Sequence, residues 1–230
     1  MFFIRMAIFI VLVFLGRTET LSAETAFPAL IEHGPRNGSM IALTFDACPT
    51  GKTDDYDEKV IEILLREKVS ATLFMSGRWV EKNAEHVKFL SKQSQFEIAN
   101  HAFWHPHMLD KDDERILREL KRTQTIIRKV SGKMPRFFRP PFGEVDERLV
   151  KLVQQAGLTA IQYDLASGDP DPGLSAARIV RMVLRDAKAG SIVVFHMNKN
   201  GVRTAEALPE IIRGLRKKGF TLVTVGDLLK

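Results

Sequence analysis

The sequence predicts an α/β domain built on parallel strands, and three observations carry that prediction. Short apolar runs of strand length alternate with amphipathic stretches of helical period along the chain. The apolar runs show little polar alternation, as strands buried on both faces require. Several of them end on a residue that can do chemistry, among them Asp46, His101, Arg139 and His196. Polar groups at the C-terminal ends of successive strands are how an α/β barrel assembles its active site.

Taken in order, residues 24–37 read as an extended lead-in with turn residues Gly34, Pro35 and Asn37. Met40 to Phe45 is the first buried strand and ends at Asp46. Cys48 to Gly51 makes a loop, followed by Asp54, Asp55 and Asp57. Tyr56 to Lys68 places Val60, Ile61, Ile63, Leu64 and Leu65 on a helical stripe. Ser70 to Met75 is the next strand, Gly77 to Ser91 the next helix, and Phe96 to Asn100 a short strand that delivers His101 and His105. Asp112 to Ser131 is a long amphipathic helix stopped at Gly132, and Asp146 to Ala156 a helix ending at Gly157. Leu158 to Leu165 is predicted as a strand. Ser175 caps a helix through Lys188, Ser191 to Phe195 is a buried strand ending at His196, Pro209 to Lys218 is the last helix and Phe220 to Val225 the last strand. No glycine-rich phosphate loop follows the first strand, which disfavours a nucleotide-binding sheet.

The chain has 230 residues, 45% hydrophobic and 27% charged, the profile of a globular protein of one domain. Its single cysteine, Cys48, excludes an internal disulfide. The formal charge is +6. The basic residues are dispersed among acids, without a basic stripe interleaved with aromatics, so no nucleic-acid partner is expected. Residues 1–23 read as a secretory signal peptide: Arg5, an apolar run from Met6 to Gly16, and Leu21-Ser22-Ala23 as a cleavage site. The run is too short for a spanning helix, so stable membrane insertion after cleavage is not expected. This implies a secreted or periplasmic protein whose folded domain is residues 24–230.

The chemistry-bearing motifs are Thr44-Phe-Asp46, His101-Ala-Phe-Trp-His105-Pro106, Arg139-Pro-Pro-Phe-Gly143, Gly168-Asp169 and Val194-Phe-His196. Two histidines four apart can meet one cation, and imidazole is the commonest side-chain ligand near neutral pH. Alone, each residue has a bland reading: a strand-end cap for Asp46, a structural ion pair for Arg139, a core histidine for His196.

In this order the motifs resemble those of the polysaccharide deacetylases, carbohydrate esterase family four, over about residues 38–230. The resemblance implies a distorted, incomplete (β/α) barrel of seven or eight strands. It implies hydrolytic, metal-assisted removal of acetyl groups from N-acetylated sugars of a polysaccharide or peptidoglycan, hence an acetylated carbohydrate partner. Residue by residue, Asp46 matches the base, His196 the acid, Arg139 the residue that positions the base, and Asp169 a partner in that network. His101 and His105 match metal ligands for Zn or a similar divalent cation. Trp104, Pro140, Phe142 and Gly143 match substrate-binding positions.

The chain departs from the family at Ala47, where a second aspartate would be the third protein ligand. Asp54, Asp55 or Asp57 could replace it, the two histidines could suffice with water, or the reaction could run without metal. The three aspartates read equally well as a solvated turn and helix start. Pro170 stands where the family often has tryptophan. Ala47 also motivates a different reading, a carbohydrate-binding relative with lost catalysis. A metal-independent amidase or esterase on another acylated substrate is a further alternative.

Overall fold

Strand β2 (Met40–Ala47) is the centre of a curled parallel sheet, and its side-chain alternation sets up the whole molecule. Ile41, Leu43 and Phe45 point out toward a ring of helices, while Ala42, Thr44 and Asp46 belong to the inner side. The computed structural model describes residues 30–49 and 56–230. The expected signal peptide, Asp54 and Asp55 lie outside the described residues.

The other elements follow as strand and helix in turn: β1 (Leu30–Ile31), α1 (Glu58–Arg66), β3 (Ala71–Met75), α2 (Gly77–Lys82), α3 (Ala84–Ser91), β4 (Phe96–Asn100), α4 (Asp113–Ser131), β5 (Phe137–Phe138) and α5 (Glu147–Gln155). Then come β6 (Thr159–Ile161), β7 (Leu165–Ala166), α6 (Ala176–Asp186), β8 (Ile192–His196), α7 (Thr204–Lys217), β9 (Thr221–Val223) and α8 (Val225–Leu228). The sheet order is β1-β6-β5-β4-β3-β2-β8-β7, with β9 beside the start of β2. Eight parallel strands curl through 255°, an incomplete barrel as the motifs imply.

The gap lies between β1 and β7. Asp164 ties it together by accepting from Arg36 (2.8 Å), the Ser191 hydroxyl (2.9 Å) and the Ile192 N–H (2.8 Å). Gly190 is required there: at φ 78°, a Cβ would lie 2.5 Å from the carbonyl oxygens of Gly34 and Pro35. At the bottom of the barrel, Val225 and Leu228 of α8 pack on the inner cluster of Ala42, Phe74, Ala99, Ile161 and Ile192.

The helices form where their apolar stripes predict, and their ends are set by caps. Asp57, Ser76, Asp112, Asp146 and Ser175 each accept an N–H in the first turn of the helix that follows. Several boundaries differ from expectation, among them α1, which is two residues shorter at each end. The predicted helix 77–91 breaks at Asn83, whose backbone leaves helical geometry to divide α2 from α3. The predicted strand 158–165 divides into β6 and β7, because Asp164 turns to clasp the barrel gap. Helix α6 stops at Asp186, two residues before the expected Lys188. Helix α7 begins at Thr204 and runs through Pro209. An interior proline costs about 3 kcal/mol, and the buried stripe of Ala207, Leu208, Ile211, Ile212 and Leu215 outweighs it. The last strand ends at Val223, and Thr224 caps α8 instead.

Candidate active site

The register of the central strands builds the site. Asp46 of β2 lies directly beside His196 of β8, and Asn100 of β4 beside Phe138 of β5. Asp46 and His196 therefore share one strand end, while His101 and Arg139 leave the ends of neighbouring strands next to them. A cavity of 310 Å³ opens there, lined among others by Asp46, His105, Arg139, Asp169 and His196.

Arg139 is the pillar of the site. Its side chain is 1% exposed and donates to the Asp46 carboxylate at 2.7 Å and to the Thr44 hydroxyl at 2.8 Å. Its other terminal nitrogen donates to the Gln162 carbonyl at 3.3 Å, and its guanidinium lies 4.0 Å from the Phe74 ring centre. Burial by itself would raise the Asp46 carboxyl. The Arg139 charge and hydrogen bond override it, so Asp46 stays ionised below the usual carboxylate range.

His196 is held from behind by Asp169. Its Nδ1 donates to one Asp169 oxygen at 3.0 Å, and its backbone N–H donates to the other at 2.7 Å. Ser167 and Thr204 hydroxyls donate to the same carboxylate. Burial pulls the imidazole down, but the Asp169 bond and charge outweigh it and raise it above its ordinary value. Asp169 is thus the partner of the acid candidate, and it lines the same cavity as Arg139.

His101 and His105 stand edge to face, with ring centres 4.8 Å apart. His101 Nδ1 donates to the Arg139 carbonyl at 2.8 Å, since a carbonyl only accepts. Burial holds His101 below the ordinary imidazole value, which leaves Nε2 as a lone pair. The 3.7 Å between that nitrogen and Asp46 is accordingly no ion pair between charged groups. His105 is pulled down to about 3, by burial first and by His101 second. Both rings are neutral near pH 7, the form in which imidazole binds cations.

The pair fits a divalent cation, but the donor set is incomplete. Among the described residues, no three His, Cys, Asp or Glu side chains form a metal-holding group. Ala47 is fully buried and offers only a methyl group. Asp57 is occupied as the N-cap of α1, accepting from Val60.

Of the expected substrate positions, Pro140, Phe142 and Gly143 line the cavity, as does Pro170. Phe142 is 54% exposed, with its edge or face against His105 (4.5 Å) and His107 (4.1 Å). Trp104 does not line the cavity. It stands exposed beside it, with Arg78 and Arg122 within 6 Å of its ring centre. His107 stacks on Phe142 and bonds Glu144 at 2.9 Å. Sequence reasoning missed Ser167, Thr204 and Asn200. It also missed that Cys48 lines the cavity, with Asn200 donating to its sulfur at 3.2 Å.

A parallel barrel with an arginine-held carboxylate and a carboxylate-held imidazole facing one cavity defines a hydrolase-type site of acid–base design. The chain belongs to the polysaccharide deacetylase family, whose family model matches residues 33–161. A peptidoglycan-N-acetylglucosamine deacetylase of Bacillus cereus is 32% identical over 200 residues, covering 85% of this chain and 91% of that protein. A bifunctional xylanase/deacetylase of Pseudobutyrivibrio xylanivorans is 32% identical over 195 residues, and the match spans only 31% of its length. The fold superposes with a TM-score of 0.80 on a CE4 family pseudoenzyme from Bacillus anthracis, at 27% identity over 89% of this chain and 70% of that one. A mutant of that pseudoenzyme, described as having restored enzymatic activity, matches equally well at 0.80.

Proposed function

We propose that the protein removes acetyl groups from N-acetylated sugars of a polysaccharide or peptidoglycan, with Asp46 as base and His196 as acid. The observation that carries this reading is the opposite tuning of the two groups across one cavity. Asp46 is lowered below the usual carboxylate range by Arg139, and His196 is raised above the ordinary imidazole value by Asp169, and both face one cavity. Asp46 takes a proton from water as its oxygen attacks the acetyl carbon. His196 Nε2 then gives a proton to the sugar nitrogen as the C–N bond breaks, releasing acetate and a free amine. Thr44 and Arg139 fix the carboxylate, and Ser167 and Thr204 fix Asp169. Phe142, Pro140 and Gly143 supply the wall for the sugar, and Trp104 an aromatic surface beside it. Secretion or periplasmic location is part of this proposal and rests on the pattern of residues 1–23.

His101 and His105 support a cation as part of the proposal, and a bound divalent ion would supply Lewis-acid polarisation and a more acidic water. The described residues offer no third ligand beside these two histidines. Ala47 and the likeness to a pseudoenzyme favour one second reading, a carbohydrate-binding relative without turnover.

One experiment separates them: metal content of the purified protein, with acetate release from N-acetylglucosamine oligomers and peptidoglycan before and after chelation. About one ion per chain with chelator-sensitive release supports metal-assisted deacetylation. Release without metal supports hydrolysis by Asp46 and His196 alone. Absence of release from every acetylated substrate would replace the first reading by the second.

A further inference from the structure

The loop carrying the two histidines is bent twice through left-handed backbone at residues that have a Cβ. Ala102 has φ 60° and His105 φ 55°. Such conformations are unfavourable for L-residues and persist only where the surroundings hold them. The two N–H groups between the bends are held by one side chain. Glu119 of α4, 3% exposed, accepts from the Phe103 N–H at 2.9 Å and from the Trp104 N–H at 2.7 Å through a single oxygen. Its other oxygen meets Arg115 at 2.9 Å. No packing role calls for a carboxylate here: Glu119 occupies the buried stripe of α4 beside Ile116, Leu120, Thr123 and Ile127.

The two histidines depend on this clamp unequally. His101 is tied independently, by its backbone N–H to the Met75 carbonyl at 3.0 Å and by its ring to the Arg139 carbonyl at 2.8 Å. Ala102 has a hold of its own, donating to the Asn100 side chain at 2.9 Å. Beyond it, the Ala102 and Phe103 carbonyls accept from the Gly77 and Arg78 N–H groups. His105 lies past the clamped segment, and its ring makes aromatic contacts with His101 and Phe142.

We propose that Glu119 is the positioning residue of His105: by holding the Phe103 and Trp104 N–H groups it keeps the loop in its second left-handed bend and aims the His105 ring into the cavity. The role of the cavity in catalysis rests on the proposed function; the positioning of the ring does not.

The test is Glu119→Gln, which keeps the volume and weakens the acceptor, read by the ring-nitrogen NMR signals of the histidines. The His105 signals should shift while those of His101 and His196 stay. Glu119→Asp, with a carboxylate one methylene short, is read the same way if the glutamine variant does not fold. Unmoved His105 signals, or equal movement of all three histidines, would overturn the proposal. A wild-type protein that releases no acetate removes the proposed function and leaves the NMR result to decide this one.

Discussion

Removing the Asp46 carboxylate should destabilise the fold as well as stop chemistry, and the size of the effect follows from the burial of Arg139. That guanidinium is 1% exposed and has one carboxylate partner among the described residues, at 2.7 Å. Its remaining contacts are a hydroxyl, a carbonyl and aromatic rings. The neighbouring His101 is neutral and supplies no negative charge. Asp46→Ala therefore leaves a buried cation without a counter-charge, a defect that costs about 3–5 kcal/mol. For a chain of this size that corresponds to roughly 6–20 °C in Tm. Arg139→Met combined with Asp46→Leu removes both charges and should recover most of the loss, because a buried pair replaced by apolar groups is often close to neutral.

The assay is urea unfolding at pH 7, comparing midpoints at constant slope. A loss below about 1 kcal/mol in Asp46→Ala would refute the claim that Arg139 depends on this carboxylate. A double variant as unstable as the single one would refute the electrostatic origin of the loss. The pH dependence has a defined sign. Asp46 is lowered in the folded state, so its contribution is complete above the ordinary carboxylate value of about 3.9 and disappears as pH falls through the folded value. Wild-type stability should thus drop on that acid limb, and Asp46→Ala should show a smaller drop there.

Asp169→Asn should lower kcat by on the order of 10³-fold or more while KM changes little, since it removes the carboxylate that holds and charges His196; near-normal turnover would remove Asp169 from the mechanism. Activity against pH should be broad, with the alkaline limb set by His196 above the ordinary imidazole value of about 6.5; a limb below that value contradicts the Asp169 pairing. His105, lowered to about 3 in the fold, binds protons in the unfolded chain first, so stability should decline between about pH 6.5 and 3; His105→Gln should flatten that decline in thermal unfolding. Ala47→Asp should introduce a zinc-dependent rise in Tm and increase acetate release; a variant that responds to zinc no differently from wild type would show that Ala47 is not what limits the cation site.

The alternation of strands and helices was legible because buried parallel strands write themselves as uninterrupted apolar runs. The site was legible for the same reason: Asp46, His101, Arg139 and His196 stand where those runs stop. What escaped was set by contacts distant in sequence. Asp164 breaks a predicted strand because it bonds Arg36 and Ser191 across the barrel gap. Pro209 lies inside a helix because the buried side of α7 outweighs local propensity. Glu119 did leave a signal, a carboxylate on the apolar stripe of an amphipathic helix, and such a residue asks for buried donors elsewhere. Trp104 is the reverse case: the motif places it among substrate positions, and the structure turns its ring out of the cavity toward two arginines.

The departure at Ala47 separates two parts of the site that the family motif presents as one. Residue 47 makes none of the bonds that hold Asp46, so replacing the second aspartate leaves the Arg139–Asp46–Thr44 network intact. The Asp169–His196 pair is farther still, on β8 and the loop after β7. The proposed base and acid are therefore held by bonds that owe nothing to a cation, while the two neutral histidines lack a protein carboxylate at position 47. A chain drifting toward simple sugar binding would have no use for a buried Arg–Asp pair, which is costly to bury and stabilises little over apolar packing. Retention of that pair together with the Asp169-held imidazole argues for turnover, with the cation as the separable part of the proposed chemistry.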